Sequence, residues 1–269
     1  MRLKNPGGVQ KAIFTVKQVQ GELGNASVHG RDPAGRKDSF LTWCDSWATP
    51  QLDNHFPDRE GIFAEIRESY YRVVALPTSP DRQANGLLNR EFREWDARLG
   101  RLLSELADVA DFVERVGSLV VPDTSALMEG GMFTEFAWHS LDESLLGVPV
   151  RLVVPALVVE ELDELKRRPG ERQRAQARKV LSALWDLHSA APGRPAPLSA
   201  SQDVTIEVLL DDGWHQRMPS NDTEIIDQAV RMRELTGQAV ILAACDYSQL
   251  YRAAQVGLRA VLMPRPTAD

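Results

Sequence analysis

From residue 118 onward, short apolar β-branched runs alternate with amphipathic stretches, and this order of strand then helix admits few folds. Ser118 to Pro122, Arg151 to Pro155, Val204 to Leu210, Ala239 to Ala244 and Arg259 to Met263 read as strands. Thr124 to Met128, Val158 to Leu165, Gln173 to His188, Thr223 to Leu235 and Tyr247 to Gln255 read as the helical segments between and after them. A Pro-rich link carrying Pro192, Pro195 and Pro197 leads into the third strand. Strands joined through helices pair in parallel, and a parallel sheet is covered on both faces. The expectation over residues 119–269 is an α/β domain with a parallel Rossmann-like sheet flanked by helices.

The preceding residues 1–118 are patterned differently. Leu88, Phe92, Trp95, Leu99, Leu102, Leu106, Val109, Val113 and Val116 recur at alternating spacings of four and three. That heptad seam predicts one long helix near 87–116, with Gly117 as its stop. Ile62, Phe63, Ile66, Tyr70 and Val73 form a second helical stripe. The seam suits packing within one bundle, and equally a homodimer or a protein partner docked on the N-terminal domain; the second stripe favours the bundle. Residues 21–60, with Gly21, Gly24, Gly30, Pro33, Gly35, Pro50 and Pro57, read as a loop-rich stretch around short helices. The domain reading is thus a mainly α-helical N-terminal domain over 1–118 and an α/β domain over 119–269.

Composition narrows the function. A chain of 269 residues with 43% hydrophobic and 26% charged residues can bury two cores. No apolar run approaches the roughly 20 residues that span a bilayer, and the N-terminus lacks an apolar signal segment, so the expected location is cytoplasmic with no membrane association. The two cysteines, Cys44 and Cys245, are far apart, and the five histidines show no ligand spacing, so neither a zinc site nor a histidine role is expected. No G-x-x-x-x-G-K-[ST] occurs, which argues against a nucleotide cofactor. A net charge of −7 excludes coating of nucleic acid by bulk charge and leaves that task to a local patch. The run KRRPGERQRAQARK supplies one: Lys166, Arg167, Arg168, Arg172, Arg174, Arg178 and Lys179 against the single acid Glu171. These residues either hold phosphates or form a solvated helix face. Trp138 and Trp214 are candidates for stacking on bases, with burial in a core as the competing role.

In open parallel sheets, ligands bind beyond the carboxyl ends of the strands. Asp123 directly follows the first strand and Asp246 the fourth, while Glu161 and Asp222 are expected in the first turns of helices entered from loops. Each has a structural alternative: Asp123 as a helix N-cap, Asn221 with Glu224 as a capping box, Asp222 and Glu161 as charges favoured near a helix start. Brought to one edge, the four carboxylates cannot all stay ionised without a cation, and hard divalent ions such as Mg²⁺ or Mn²⁺ suit an all-oxygen donor set.

The segments VVPDTSAL, VVEELDEL, SNDTEIIDQA and AACDYSQL, in that order, resemble the motifs of PIN-domain ribonucleases. The resemblance covers residues 119–269. It implies that Asp123, Glu161, Asp222 and Asp246 are the metal-holding catalytic acids, with Glu161 preferred over Glu160 because it opens Glu161-Leu162-Asp163-Glu164-Leu165. It further implies a metal-dependent endoribonuclease that cuts single-stranded RNA and leaves a 5′-phosphate. PIN nucleases commonly carry Thr or Ser two positions before the last acid, where this chain has Ala244; Thr124, Ser125 and Ser248 are the nearby hydroxyls, and Thr124, Ser125 and Asn221 are the supporting candidates. The competing functions are a catalytically impaired PIN-like module that binds RNA or protein, and a 5′ nuclease acting on structured DNA.

Overall fold

In a computed structural model, the protein is described over residues 3–5, 8–29, 32–57, 61–77, 82–129, 132–168, 170–198, 203–211, 215 and 217–264. The chain divides into two compact units, Met1–Arg115 with Glu234–Thr236, and Val116–Arg233 with Gly237–Asp269.

The first unit is helical: α1 (Val9–Val28), α2 (Pro33–Trp43), α3 (Thr49–Asp53), α4 (Ile62–Val74) and α5 (Arg82–Glu114), with a π-helical turn at Cys44–Ala48 before α3. The heptad seam is spent within this unit. Leu88, Phe92, Trp95, Leu99 and Leu106 of α5 are buried in one core with Val16, Val19 and Leu23 of α1, Phe40 and Trp43 of α2, and Phe63, Ile66 and Val73 of α4. Two buried indoles keep their polar atoms satisfied: Trp43 Nε1 donates to Val19 O at 2.9 Å, and Trp95 Nε1 to Ser69 Oγ at 2.8 Å.

Residues 21–60 are largely helical, not loop-rich as their turn residues predict. Gly21 and Gly24 lie inside α1, and α2 and α3 occupy 33–43 and 49–53. Val9, Ala12, Val16, Val19 and Leu23 form a stripe whose burial outweighs the helix cost of two glycines, about 1 kcal/mol each. Asp32, whose side chain accepts from Gly35 N at 2.7 Å, and Pro33 at the first helical position start α2 where turn residues alone suggested a loop.

The second unit is a six-stranded sheet, β1 (Ser118–Pro122), β2 (Val150–Pro155), β3 (Ala196–Pro197), β4 (Val204–Leu209), β5 (Val240–Ala244) and β6 (Arg259–Leu262), in the order β3-β4-β2-β1-β5-β6. All pairings are parallel except β3 with β4. The two-residue β3 lies in the Pro-rich link, where the residue pattern shows no strand; Pro197 is tolerated because it sits on an edge. The helices are α6 (Thr124–Glu129), α7 (Ala156–Leu165), α8 (Glu171–Ala190), α9 (Asn221–Thr236) and α10 (Tyr247–Gln255). β1, β2 and β5 are almost wholly buried, as strands of a covered parallel sheet must be. Gly117, at φ 130°, enters β1 where a Cβ would sit 3.1 Å from Cβ of Arg151, so backbone freedom and clearance both require glycine.

The order of the strands fixes where a site can lie. From β1 the chain runs to β2 on one side, while β5 flanks β1 on the other, so the connections diverge at the carboxyl end of β1. A crevice at such a switch point is the expected ligand position in an open α/β sheet.

Candidate active site

Asp123 stands at that switch point. Its backbone N–H donates to Ala243 O at 2.9 Å, extending the β1–β5 pairing by one residue and fixing the carboxylate beside the end of β5. The side chain accepts from Ala126 N at 2.6 Å, which caps α6, and the Ser125 hydroxyl lies 2.8 and 2.7 Å from its two oxygens. Capping and site geometry therefore coexist in Asp123. Ser125 Oγ in turn accepts from Cys245 N at 3.2 Å, so this hydroxyl links β1 to the segment leading to Asp246 next to the buried Ala244.

Glu161 faces the same place from α7. Thr124 Oγ1 donates to its Oε2, and Asn221 Nδ2 donates to its Oε1 at 2.6 Å. Its position is corrected from the first helical turn to the second, because α7 begins at Ala156 directly after β2. Pro155 accounts for the earlier start: its fixed φ is compatible with the residue just before a helix, and Ala156 and Leu157 extend the helical stripe upstream. Glu160 turns elsewhere, taking Arg217 Nη1 and Nη2 at 2.5 and 2.6 Å.

Asp222 lies in the first turn of α9, and Arg252 Nη1 of α10 is 3.2 Å from its Oδ2. The helix is capped by Ser220, whose Oγ accepts from Thr223 N at 3.3 Å, and not by an Asn221–Glu224 box. Glu224 is only 2% exposed and receives Met218 N at 2.7 Å. Asp246 caps α10, accepting Ser248 N at 2.9 Å and the Ser248 hydroxyl at 3.0 Å.

Electrostatics join these residues. Burial pushes the Asp123 carboxyl up to about 6, with Ser125 and Ala126 opposing and the charges of Glu161 and Asp222 adding to the rise. Asp246 is held below the ordinary carboxylate value by the Ser248 N–H and hydroxyl, with Arg252 contributing. Asp123 thus feels the charges of Glu161 and Asp222, and Arg252 is the cation shared by Asp222 and Asp246. Asp123 is buried, Glu161 and Asp222 are half-buried and Asp246 is exposed; together they offer oxygen donors only, the kind a hard divalent cation takes, and among the described residues no three of them place ligand atoms within 4.8 Å of one another.

A tighter cluster lies nearby. Among the described residues, only Asp211, His215 and Glu224 place a ligand atom each within 4.8 Å of one another. Arg231 Nη1 contacts His215 Nδ1, and arginine can only donate, so Nδ1 accepts. The ring proton then sits on Nε2 and donates to Glu224 Oε1 at 2.5 Å, which leaves the imidazole no lone pair for a metal. The group is a hydrogen-bond network. Gln228 Nε2 adds bonds to Asp211 at 3.1 Å and to Glu224 at 2.9 Å, and Arg217 bridges Asp211 to Glu160. It holds His215, Arg217 and Met218 immediately ahead of α9, whose first turn carries Asn221 and Asp222. Sequence spacing assigned His215 no role because its partners are not at motif spacing in the chain.

The basic run divides. Lys166 and Arg167 pair with Asp163, and Arg168 with Glu164, acids of α7 just upstream of the run. Arg172 and Arg178 of α8 are exposed and Arg174 half-buried, and none of the three makes an ion pair among the described residues. Trp138 is a core residue, 1% exposed, with Nε1 donating to Phe133 O at 2.9 Å; Trp214 lies outside the described residues. Among the described residues no helix is long and apolar enough to cross a membrane.

Residues 120–263 match the PIN domain, and the chain belongs to that family, whose members are mostly metal-dependent nucleases and usually bind a divalent metal. A solved domain of a functionally unknown protein from Methanocaldococcus jannaschii DSM 2661 is similar at 17% identity and a TM-score of 0.37, covering 57% of this chain and 96% of that one. No curated protein matches the chain significantly.

Proposed function

We propose that this protein is a metal-dependent endoribonuclease that hydrolyses phosphodiester bonds of single-stranded RNA, with Asp123, Glu161, Asp222 and Asp246 holding Mg²⁺ or Mn²⁺. The observation that carries the reading is the buried Asp123 at the β1 switch point of a PIN-family domain, with the charges of Glu161 and Asp222 acting on it. When bound, the cation would supply an activated water and neutralise charge developing at phosphorus.

The chain's own groups do the rest. Thr124 and Asn221 each give a hydrogen bond to one oxygen of Glu161, and each oxygen keeps a second lone pair. Ser125 and Ala126 fix the rotamer of Asp123, and Ser248 that of Asp246. A set fixed in this way loses little freedom on taking up a cation. Arg172, Arg174 and Arg178 are the members of the basic run available to phosphates, while Lys166, Arg167 and Arg168 reach them only by exchanging solvent-screened partners at the end of α7.

A second reading has an observation of its own. Arg252 already neutralises Asp222, and Ala244 stands where a hydroxyl is common, which suits a module that binds RNA or protein without cutting. Incubation of the purified chain with labelled unstructured RNA, single-stranded DNA and flap DNA, each with Mn²⁺, Mg²⁺ or EDTA, separates the readings. Internal cuts in RNA alone that EDTA abolishes support the endoribonuclease. Preferential cutting of the flap supports the 5′ nuclease, and RNA binding without cuts under any metal supports the binding module.

A further inference from the structure

Helix α10 begins at the acidic site and carries two exposed aromatic rings away from it. Tyr247 follows Asp246 directly and is 61% exposed; Tyr251, one helical turn on, is 72% exposed. Spacing of four residues puts both on one face of the helix, whereas Gln249 and Ala253 on another face are buried at 2% and 0%. The fold therefore does not need these rings for its core. Arg252, next to Tyr251, reaches Asp222 with half its side chain still exposed, so the aromatic face borders a cation beside the carboxylates.

We propose, resting on the endoribonuclease reading, that this face of α10 is a base-stacking rail for single-stranded RNA: Tyr247 and Tyr251 receive successive unpaired bases, and Arg252 meets the phosphate between them and the site. Three features select that occupant. The rings offer π-faces, which bases need and duplexes hide within their own stack. Arg252 is the one charged residue within α10, and it complements a phosphate. The rail also starts one residue from Asp246, so a strand lying on it is delivered to the carboxylates without a further turn. The aromatic residues weighed from sequence were Trp138 and Trp214; the usable signal was an i, i+4 tyrosine pair immediately after the last acid.

The test is RNA affinity, measured by fluorescence anisotropy on the full chain in EDTA with a short labelled unstructured RNA and the same RNA carrying abasic sites. Tyr247→Ala/Tyr251→Ala should weaken binding of the intact RNA about a hundredfold, roughly tenfold for each ring. Tyr247→Phe/Tyr251→Phe should stay within about twofold, because stacking needs the ring and not the hydroxyl. Abasic RNA should bind the parent more weakly and should not distinguish the alanine variant. Alanine has high helix propensity, so α10 survives these changes, and circular dichroism confirms it. Alanine variants that bind and cut RNA like the parent overturn the rail and leave the nuclease reading intact. Loss of a parental dimer in light scattering, with RNA affinity unchanged, also overturns it and assigns the face to a second copy of the chain. A parent that neither binds nor cuts RNA overturns the rail together with the reading beneath it.

Discussion

Asn221 holds Glu161: the side-chain amide at the start of α9 donates to Oε1 of a carboxylate on α7 at 2.6 Å, across 60 positions of chain. The bond orients Glu161 without adding charge, so its loss should loosen the carboxylate and leave the fold in place. Asn221→Ala is expected to raise the Mn²⁺ concentration needed for half-maximal cleavage about tenfold or more, with a melting temperature close to the parent's. Titration of cleavage against Mn²⁺, beside a thermal melt, checks both parts.

Glu160 and Glu161 are neighbours with opposite expectations. Glu160 is half-exposed and paired with Arg217, which makes Glu160→Gln a surface change costing at most about 1 kcal/mol. Its cleavage rate should stay within a few-fold of the parent's. Glu161→Gln keeps the shape and the contact with Thr124 but removes a charge from the proposed site, and its rate should fall at least a hundredfold. Single-turnover cleavage of the two variants in parallel distinguishes them.

Asp123 gives the metal-free protein a characteristic pH dependence. Its folded carboxyl titrates near 6 against an ordinary 3.8, because burial disfavours the charge. The folded protein keeps a proton there that the unfolded chain has already released. Its contribution to stability is fully present below about pH 4, is lost as pH rises through 6, and is then flat, a change of roughly 2–3 kcal/mol. Asp123→Asn keeps an acceptor for Ala126 and removes the charge. In EDTA the variant should therefore melt higher than the parent at pH 7.5, with the difference vanishing toward pH 4. A difference independent of pH would contradict the account.

Ser69 tests the helical unit separately. It is fully buried and accepts from both Trp95 Nε1 and Arg72 Nη2, each at 2.8 Å. Ser69→Ala leaves the indole N–H without its acceptor and should cost about 1–3 kcal/mol, against a few tenths for a typical surface substitution. Urea denaturation followed by tryptophan fluorescence measures the loss.

The strand-helix alternation was legible because a covered parallel sheet demands continuous apolar runs, and five strands are found within a residue or two of where those runs lie. Tyr247–Gln255 is found as read, because Asp246 marks its start and its apolar face is regular. α1 was missed where Gly21 and Gly24 mimic loop punctuation, since a glycine on an exposed helix face costs little against a buried stripe. Individual acids at strand ends could be read from position, but Arg252 on Asp222 and His215 on Glu224 are contacts between segments, which spacing does not encode. Lys166, Arg167 and Arg168 of the basic run meet Asp163 and Glu164, acids that fall just before it in the chain.

On the proposed function, the carboxylates at the ends of β1 and β5 form one metal-dependent site. Cleavage of a labelled unstructured RNA by the parent, Asp123→Asn and Asp246→Asn, with Mn²⁺ and with EDTA, tests it most directly. The expected result is internal cuts by the parent in Mn²⁺, none in EDTA, and a loss of at least a hundredfold in both variants with their folds intact. Equal cutting by the variants, or cutting that survives EDTA, would contradict it.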